Sequence, residues 1–393
     1  MARRKIAVFT GNRAEYGLQY PILRALAADP RIDYFLLVGG AHLQGDFGRT
    51  LAEIEADGFR VYREIQMEMQ HDTLFATAQA IGSGILSLSR VLDELRPDFL
   101  VVYADRYEGF AAAITGTQMN IPTAHIEGGD YTEGGALDDS VRHAMTKLSH
   151  LHFATNEQAA ERIRGLGEEP WRVFNVGLPA LDLIVAGLYA TPEEVTSFLQ
   201  LDVSRPIVLF CQHSVTTEFD QAVQQIRPSL EALKRLTGHG YQIVITYPNN
   251  DAGGRRIIQE IQALDGAPGI RIVKSLGRLR FHGLLNVIGR LGRGAFAGNS
   301  SAGIKETPPF GCPAVNIGSR QQGRLRANNV IDVSYEAAAI EAALRRGVED
   351  ENFRKQCQTC QNPYGAGKAG PRIAEVLATV PLNAALLRKR MTQ

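Results

Sequence analysis

Short apolar runs recur along the chain, separated by longer amphipathic stretches. Residues 5–10 (KIAVFT) read as a buried strand, and the turn Gly-Asn-Arg-Ala-Glu-Tyr-Gly leads from it into an amphipathic run at 18–28. Further strand-like runs fall at 34–38, 99–103, 122–126 and 151–154, with helical patterns at 73–95 and 109–119. Apolar runs alternating with helices of this length predict a parallel sheet covered on both faces. Around 177–192 glycine and proline loosen the pattern, and a second series follows at 206–211, 242–246, 270–273, 294–297 and 314–317. The expected fold class is therefore α/β, with two doubly wound Rossmann-like domains facing across a cleft. The expected division is 1–180, carrying an acidic strip, and 181–393. Residues 372–379 and 387–390 read as helical, with the tail packing back on the first domain.

Polar clusters stand just past the predicted strands, where doubly wound sheets bind their ligands. Arg13 and Glu15 follow the first strand; Asp105, Arg106 and Glu108 follow 99–103; Glu127 follows 122–126. In the second half Gln212 and His213 follow 206–211, YPNNDAGG follows 242–246, and Asn299, Ser300 and Ser301 follow 294–297. The recurrence carries more weight than any one cluster.

Composition narrows the classes. With 45% hydrophobic and 21% charged residues the chain reads as globular, and its 393 residues suit two domains. Lys+Arg and Asp+Glu are equal at 42 each, so no overall field recruits nucleic acid or an anionic membrane. No apolar stretch approaches the roughly 20 residues that cross a bilayer, and the N-terminal run is too short for a signal peptide. Four cysteines in a chain this long are not a disulfide framework. A cytoplasmic protein is expected, with no nucleic-acid or membrane partner.

The densest chemistry lies between 122 and 153. Glu127, Asp130, Glu133, Asp138 and Asp139 are interleaved with four glycines, and Arg142 and His143 follow. Carboxylates crowded together repel, and proteins tolerate that mostly where proton chemistry uses it. A second candidate is Gly-Asn-Ser-Ser-Ala-Gly at 298–303, a small-residue turn with Glu306 just beyond; it suits a phosphate, and equally simple helix capping. Arg13 and Arg320 suit phosphate clamps or surface ion pairs. Together with the turn they suggest a diphosphate. No GxxxxGK[ST] or GxGxxG spacing occurs, which argues against a Walker loop and a dinucleotide cofactor. His150 and His152 suit packing, and with no HExxH or paired CxxC no metal is expected. Cys357 and Cys360 stand alone, and Phe281 suits either a core position or base stacking.

These motifs occur together and in one order: TGNRAEYG, ADRYE, HIEGGD with DDSVRHAMTKLSHLHF, QHSVTTE, YPNNDAGG, GNSSAGIKE and GSRQQGRLRANNVI. In this the chain resembles the hydrolysing UDP-N-acetylglucosamine 2-epimerases, in the branch serving sialic-acid-type sugars, from residue 5 to about 373. The resemblance implies a GT-B-like architecture and no cofactor. It implies conversion of a UDP-sugar and water to UDP and a free N-acetylmannosamine-type sugar. The sugar would be N-acetylglucosamine or, as in legionaminic-type pathways, N,N'-diacetylbacillosamine. It also implies a homodimer or homotetramer. Without a kinase domain, unlike the fused animal form, a monofunctional chain is expected.

Carried over residue by residue, Asp105, Glu127 and Asp138 match the family's catalytic carboxylates and His213 its catalytic histidine. Arg13, Ser300, Ser301, Glu306 and Arg320 match nucleotide-binding positions, with Asn299 in the same turn. Asp139, Arg142, His143, His42 and Phe281 are further expected substrate contacts. The chain departs from many relatives at Ala104, where they have Gly, and at Ser214, where they have Pro; Asp138-Asp139 replaces Asp-Glu in some. Two rival readings share much of this pattern. A GT-B glycosyltransferase would need an acceptor where the epimerase needs only water. A non-catalytic nucleotide-sugar sensor would gain nothing from five acidic residues around an anionic ligand.

Overall fold

The computed structural model describes residues 3–43, 51–67, 73–130, 137–249, 251–291 and 293–392; Glu133 and the side chain of Arg13 lie outside that description. The chain forms two compact units, one holding the described residues up to Leu183 together with those from Tyr364 on, the other Ile184–Pro363.

In the first unit β1 (Arg4–Thr10), β2 (Ile32–Gly39), β3 (Val61–Ile65), β4 (Phe99–Tyr103), β5 (Thr123–Ile126), β6 (Leu151–Ala154) and β7 (Val173–Asn175) form one parallel sheet, ordered β3-β2-β1-β4-β5-β6-β7. The connecting helices are α1 (Arg13–Ala28), α2 (Leu51–Ala56), α3 (Leu74–Leu95), α4 (Tyr107–Gln118), α5 (Leu137–Leu148) and α6 (Glu157–Gly165), and α7 (Ala180–Val185) follows. Strand β1 shows why both faces must be covered. Ile6 and Val8 join Tyr16, Leu23, Ile373 and Leu377 in one core, while Ala7 and Phe9 join Leu88, Leu92, Ala112 and Met145 in another.

Helix α1 starts five residues before the expected run at 18, because Asn12 caps it, its Oδ1 accepting from the Glu15 N–H at 3.1 Å. The polar turn after β1 is therefore largely a helix N-terminus.

The second unit has its own parallel sheet of β8 (Ile207–Cys211), β9 (Gln242–Thr246), β10 (Ile270–Val273), β11 (Gly294–Gly298), β12 (Ala314–Ile317) and β13 (Val330–Val333), ordered β10-β9-β8-β11-β12-β13. Its helices are α8 (Pro192–Leu199), α9 (Ala222–Thr237), α10 (Gly254–Gln262), α11 (Gly277–Asn286), α12 (Ala302–Lys305), α13 (Ala337–Glu349) and α14 (Glu351–Gln358). In both sheets the strand order reverses beside the first strand of the unit, β1 or β8. That is the doubly wound pattern, and it puts loops free for ligand at the carboxyl ends of the strands there.

The two last helices, α15 (Ala369–Thr379) and α16 (Ala384–Leu387), belong to the first unit, so the expected 181–393 domain ends near Pro363 instead. The cause is apolar burial: Ile373 and Leu377 are fully buried in the core against α1, each contributing roughly 2 kcal/mol. Residues 388–390, expected as helix, are not helical. Arg172 instead fixes this segment, donating to the carbonyls of Ala385 (2.6 Å) and Leu386 (2.8 Å). No described helix is long and apolar enough to cross a membrane.

Candidate active site

Strands β4 and β5 lie side by side, and both end in a non-glycine residue with left-handed backbone: Ala104 at φ 52° and Glu127 at φ 64°. That conformation costs an L-residue about 1–2 kcal/mol, so neighbouring bonds must hold it. The Ala104 N–H donates to the Ile126 carbonyl at 2.8 Å and the Glu127 N–H to the Phe153 carbonyl at 2.9 Å. The Ala104 carbonyl accepts from Nε2 of the fully buried His125 at 2.7 Å. Burial pushes the His125 imidazole down to about 3, so it stays neutral, and its other nitrogen meets the Thr146 hydroxyl at 3.1 Å. The two kinks set Asp105 and the buried Glu127 at adjacent strand ends.

Helix α5 carries Asp138 and Asp139 in its first turn, where the helix dipole favours carboxylates. One turn on, Arg142 is only 1% exposed, and its guanidinium ties three chain segments together. One nitrogen donates to Asp139 Oδ1 at 2.6 Å and to the Asp130 carbonyl at 3.0 Å, and the other pairs with Asp105. Asp105, Asp130 and Asp139 are thus gathered around one buried cation. Half-buried His143 is held below its usual range by burial and then by the Arg142 charge, which keeps its ring neutral.

In the second unit His213 follows β8. Its Nδ1 accepts from the Asn249 N–H at 3.0 Å, which leaves the proton of the neutral ring on Nε2, 3.5 Å from Cys211 Sγ. Asn299 is fully buried and binds the His213 backbone reciprocally: its Oδ1 accepts from the His213 N–H at 2.6 Å, and its Nδ2 donates to the His213 carbonyl at 2.9 Å. The Asn299 carbonyl accepts from Arg320 at 3.2 Å and from Gln321 at 2.9 Å. The turn after β11 therefore sets the position of His213, and Asn299 spends its side chain on that. Ser301 precedes α12 without a side-chain capping bond, and Ser300 Oγ accepts from the Ala302 N–H at 3.4 Å. Glu306 pairs with Nε2 of buried His282 at 2.6 Å.

Two expected substrate contacts sit among protein groups. His42 is fully buried, 3.1 Å from the Thr10 hydroxyl and edge-on to Tyr16. Phe281 packs edge-on to Phe296, with centroids 6.4 Å apart. The sequence reading passed over His125 and His282. His125 sits two residues before Glu127 in the same apolar run, which was its one signal; His282 leaves no comparable one. His150 and His152 make structural bonds: the Thr123 N–H donates to His150 at 3.0 Å, and His152 Nε2 donates to Glu168 at 2.9 Å. Among the described residues no group of three His, Cys, Asp or Glu side chains is placed to hold a metal ion.

This arrangement of kinked strand ends and clamped carboxylates can be set against known proteins. A family profile described as UDP-N-acetylglucosamine 2-epimerase matches residues 24–378. The chain belongs to that family. It is 35% identical over 386 residues to a UDP-N,N'-diacetylbacillosamine 2-epimerase (hydrolyzing) of Legionella pneumophila, covering 98% of each chain. It is 32% identical over 344 residues to a UDP-N-acetylglucosamine 2-epimerase of Neisseria meningitidis serogroup B, covering 87% of each. The fold is also that of the Neisseria meningitidis UDP-GlcNAc 2-epimerase crystallised with UDP-GlcNAc, at TM-score 0.78 and 20% identity over 95% of this chain and 99% of that one. These epimerases share the GT-B-like pair of doubly wound units.

Proposed function

We propose that this epimerase-family protein hydrolyses a UDP-linked 2-acetamido sugar, releasing UDP and the free sugar inverted at carbon 2. The observation that carries the reading is the cluster built by Arg142: Asp105 and Asp139 fixed on one buried guanidinium, beside the kinked strand end that holds Glu127. The hydrogen on carbon 2 is not acidic until the anomeric C–O bond breaks and the ring gains oxocarbenium character. Breaking that bond sends its electron pair to the diphosphate. A carboxylate then takes the carbon-2 proton and leaves a 2-acetamidoglucal. Water adds its oxygen to carbon 1, and a proton returns to carbon 2 on the opposite face. Net, one water is consumed and UDP and the manno-configured sugar are formed.

Asp105, Glu127 and Asp138 supply cation stabilisation and proton transfer. His213, with its proton on Nε2, donates to the departing phosphate. Arg13, Ser300, Ser301 and Arg320 bind the diphosphate, and Glu306, oriented by His282, accepts from the ribose hydroxyls. A 2,4-diacetamido sugar is the favoured substrate, supported by the 35% identity across 98% of the Legionella relative.

The test is incubation in deuterated water with UDP-N,N'-diacetylbacillosamine or UDP-N-acetylglucosamine and no acceptor. The expected result is UDP release with one deuterium at carbon 2 of a free manno-type sugar. UDP release that requires an acceptor would instead establish a glycosyltransferase.

A further inference from the structure

At the carboxyl ends of β1, β2 and β4 lies a second group of acids. Glu108, in the first turn of α4, is fully buried, and Glu15, in the first turn of α1, is 3% exposed. The backbone is shaped around Glu108. A Cβ on Gly11 would lie 2.4 Å from Glu108 Cβ, and one on Gly40 would lie 2.8 Å from Glu108 Cγ and 2.6 Å from the Gly11 carbonyl. Two strand-end turns thus close over this side chain only because they are glycine.

The polar atoms here are unevenly matched. Glu15 Oε1 accepts from Gln19 Nε2 at 2.8 Å and from the Gly11 N–H at 3.3 Å. Glu15 Oε2, both carboxylate oxygens of Glu108, Gln19 Oε1 and Asn12 Nδ2 are buried and make no hydrogen bond among the described residues. Among the described side chains Arg106 is the cation facing this cluster, its Nε 3.3 Å from Glu108 Oε2. The other described titratable groups at this end of β1 are His42, beside the Thr10 hydroxyl, and Tyr16, whose hydroxyl donates to Asp57 at 2.7 Å. Among the described side chains one guanidinium thus faces two buried carboxyl groups, and a proton on one of them restores neutrality.

We propose that Glu15 works as a neutral carboxylic acid, a positioning residue that holds the β1–α1 turn against the Arg106–Glu108 pair, and that losing its proton at alkaline pH stops turnover. The proton resides on Oε2, the oxygen with no hydrogen-bond donor, while Oε1 keeps its two bonds as the carbonyl. Burial, and then the Glu108 charge, push the Glu15 carboxyl well above its ordinary value, which agrees with this assignment. Glu15 acts through its neighbours. Its acceptor holds Gly11 and its backbone N–H is capped by Asn12, so it fixes the turn that carries Arg13. Glu108 and Arg106 fix the start of α4, directly after Asp105. Ionising Glu15 would put two buried negative charges against one positive and drive the two turns apart. The effect on turnover rests on the epimerase reading above; the protonation state does not.

The sign is that of a carboxyl raised by folding. Stability is greatest below the unfolded value of 4.5 and falls as pH rises toward the folded value. Glu15→Gln supplies a neutral isostere that keeps the carbonyl acceptor. The experiment records the infrared band of a protonated carboxyl group at neutral pH, urea stability against pH, and UDP release against pH. In the parent the band is present and activity declines on the alkaline side. In E15Q the band is lost, neutral turnover stays within about threefold, the stability slope above 4.5 flattens, and the alkaline decline moves up by at least one pH unit. Glu15→Ala, which loses the acceptor, lowers neutral turnover at least tenfold. An infrared band that survives in E15Q, an unmoved alkaline limb, or an E15Q that is inactive at every pH while folded each overturns the proposal. Should no UDP-sugar be turned over at all, the infrared and stability readouts still decide the protonation of Glu15, and only the functional reading falls.

Discussion

Replacing Arg142 by Met tests whether the clamp on α5 does what its geometry implies. The substitution removes a guanidinium that is 1% exposed and leaves Asp105, Asp139 and the Asp130 carbonyl without it. Breaking a buried ion pair from one side costs about 3–5 kcal/mol, because the stranded partner keeps its desolvation penalty. Both carboxylates keep side-chain exposures of 17%, so water reaches them and the cost settles near the low end, about 3 kcal/mol. Arg142→Lys keeps one charge but cannot fork to two carboxylates, and is expected to lose about half as much. Urea denaturation at neutral pH measures both. Turnover should fall about a hundredfold or more in R142M, since each 1.36 kcal/mol of misplacement in the transition state is tenfold in rate. UDP affinity measured by calorimetry should stay within about twofold, because in the proposed mechanism Arg142 has no part in holding the diphosphate. An R142M protein within about 1 kcal/mol of the parent and within threefold of its turnover would refute this account of the clamp.

Two further outcomes follow from bonds outside that cluster. Asn299→Ala removes both bonds to the buried His213 backbone; a loss of about 2–3 kcal/mol in urea and a fall in kcat larger than any rise in KM are expected. For Glu168, burial alone would raise the carboxyl, but the hydrogen bond and charge of His152 and the ammonium groups of Lys147 and Lys389 outweigh it and hold it at about 2. Its contribution is therefore present above pH 4.5 and lost as pH falls toward 2. The shift alone corresponds to about 3 kcal/mol, and solvent screening brings this to about 2. Glu168→Gln should flatten the acid limb of stability between those values, and an unchanged limb would contradict the assignment.

Much of this was legible beforehand, and the rest was hidden for identifiable reasons. Strands β1, β4 and β8 are buried on both faces, so they stand out as unbroken apolar runs. The edge strands β3 and β13, reading VYREI and VIDV, are partly exposed and carry charges, and the apolar pattern passed over both. Helix α15 is amphipathic and was expected to pack back on the first domain, but nothing local names its partner there as α1, some 350 residues earlier in the chain. The carboxylates of the site were findable because acids are rarely placed together without cause. Arg142 was expected beside them as a substrate contact, but its tie to Asp105, 37 positions away, comes only from the fold. Asn299 adds something its sequence position did not announce: besides standing in a phosphate-like turn, it binds the His213 backbone through its side-chain amide.

The two left-handed residues at neighbouring strand ends differ in what could replace them. Glycine at 104 would relax a strain of about 1–2 kcal/mol. Glycine at 127 would remove the carboxylate along with the strain. The site therefore keeps one strained residue for its side chain and another that chemistry does not require. The bonds around Ala104 show how the second is tolerated. Its N–H reaches β5 at Ile126, and its carbonyl is held at 2.7 Å by His125, from the same strand that presents Glu127. A neutral imidazole suits that task, because a protonated ring buried here would have to be paid for in desolvation. Through Thr146, whose hydroxyl oxygen lies 3.1 Å from the ring and 3.0 Å from the Arg142 carbonyl, the same imidazole reaches the backbone of α5. The turn bearing Asp105, the strand bearing Glu127 and the helix bearing Asp138 and Arg142 thus share one buried histidine. Their spacing is set from beneath the site as well as by the charges within it.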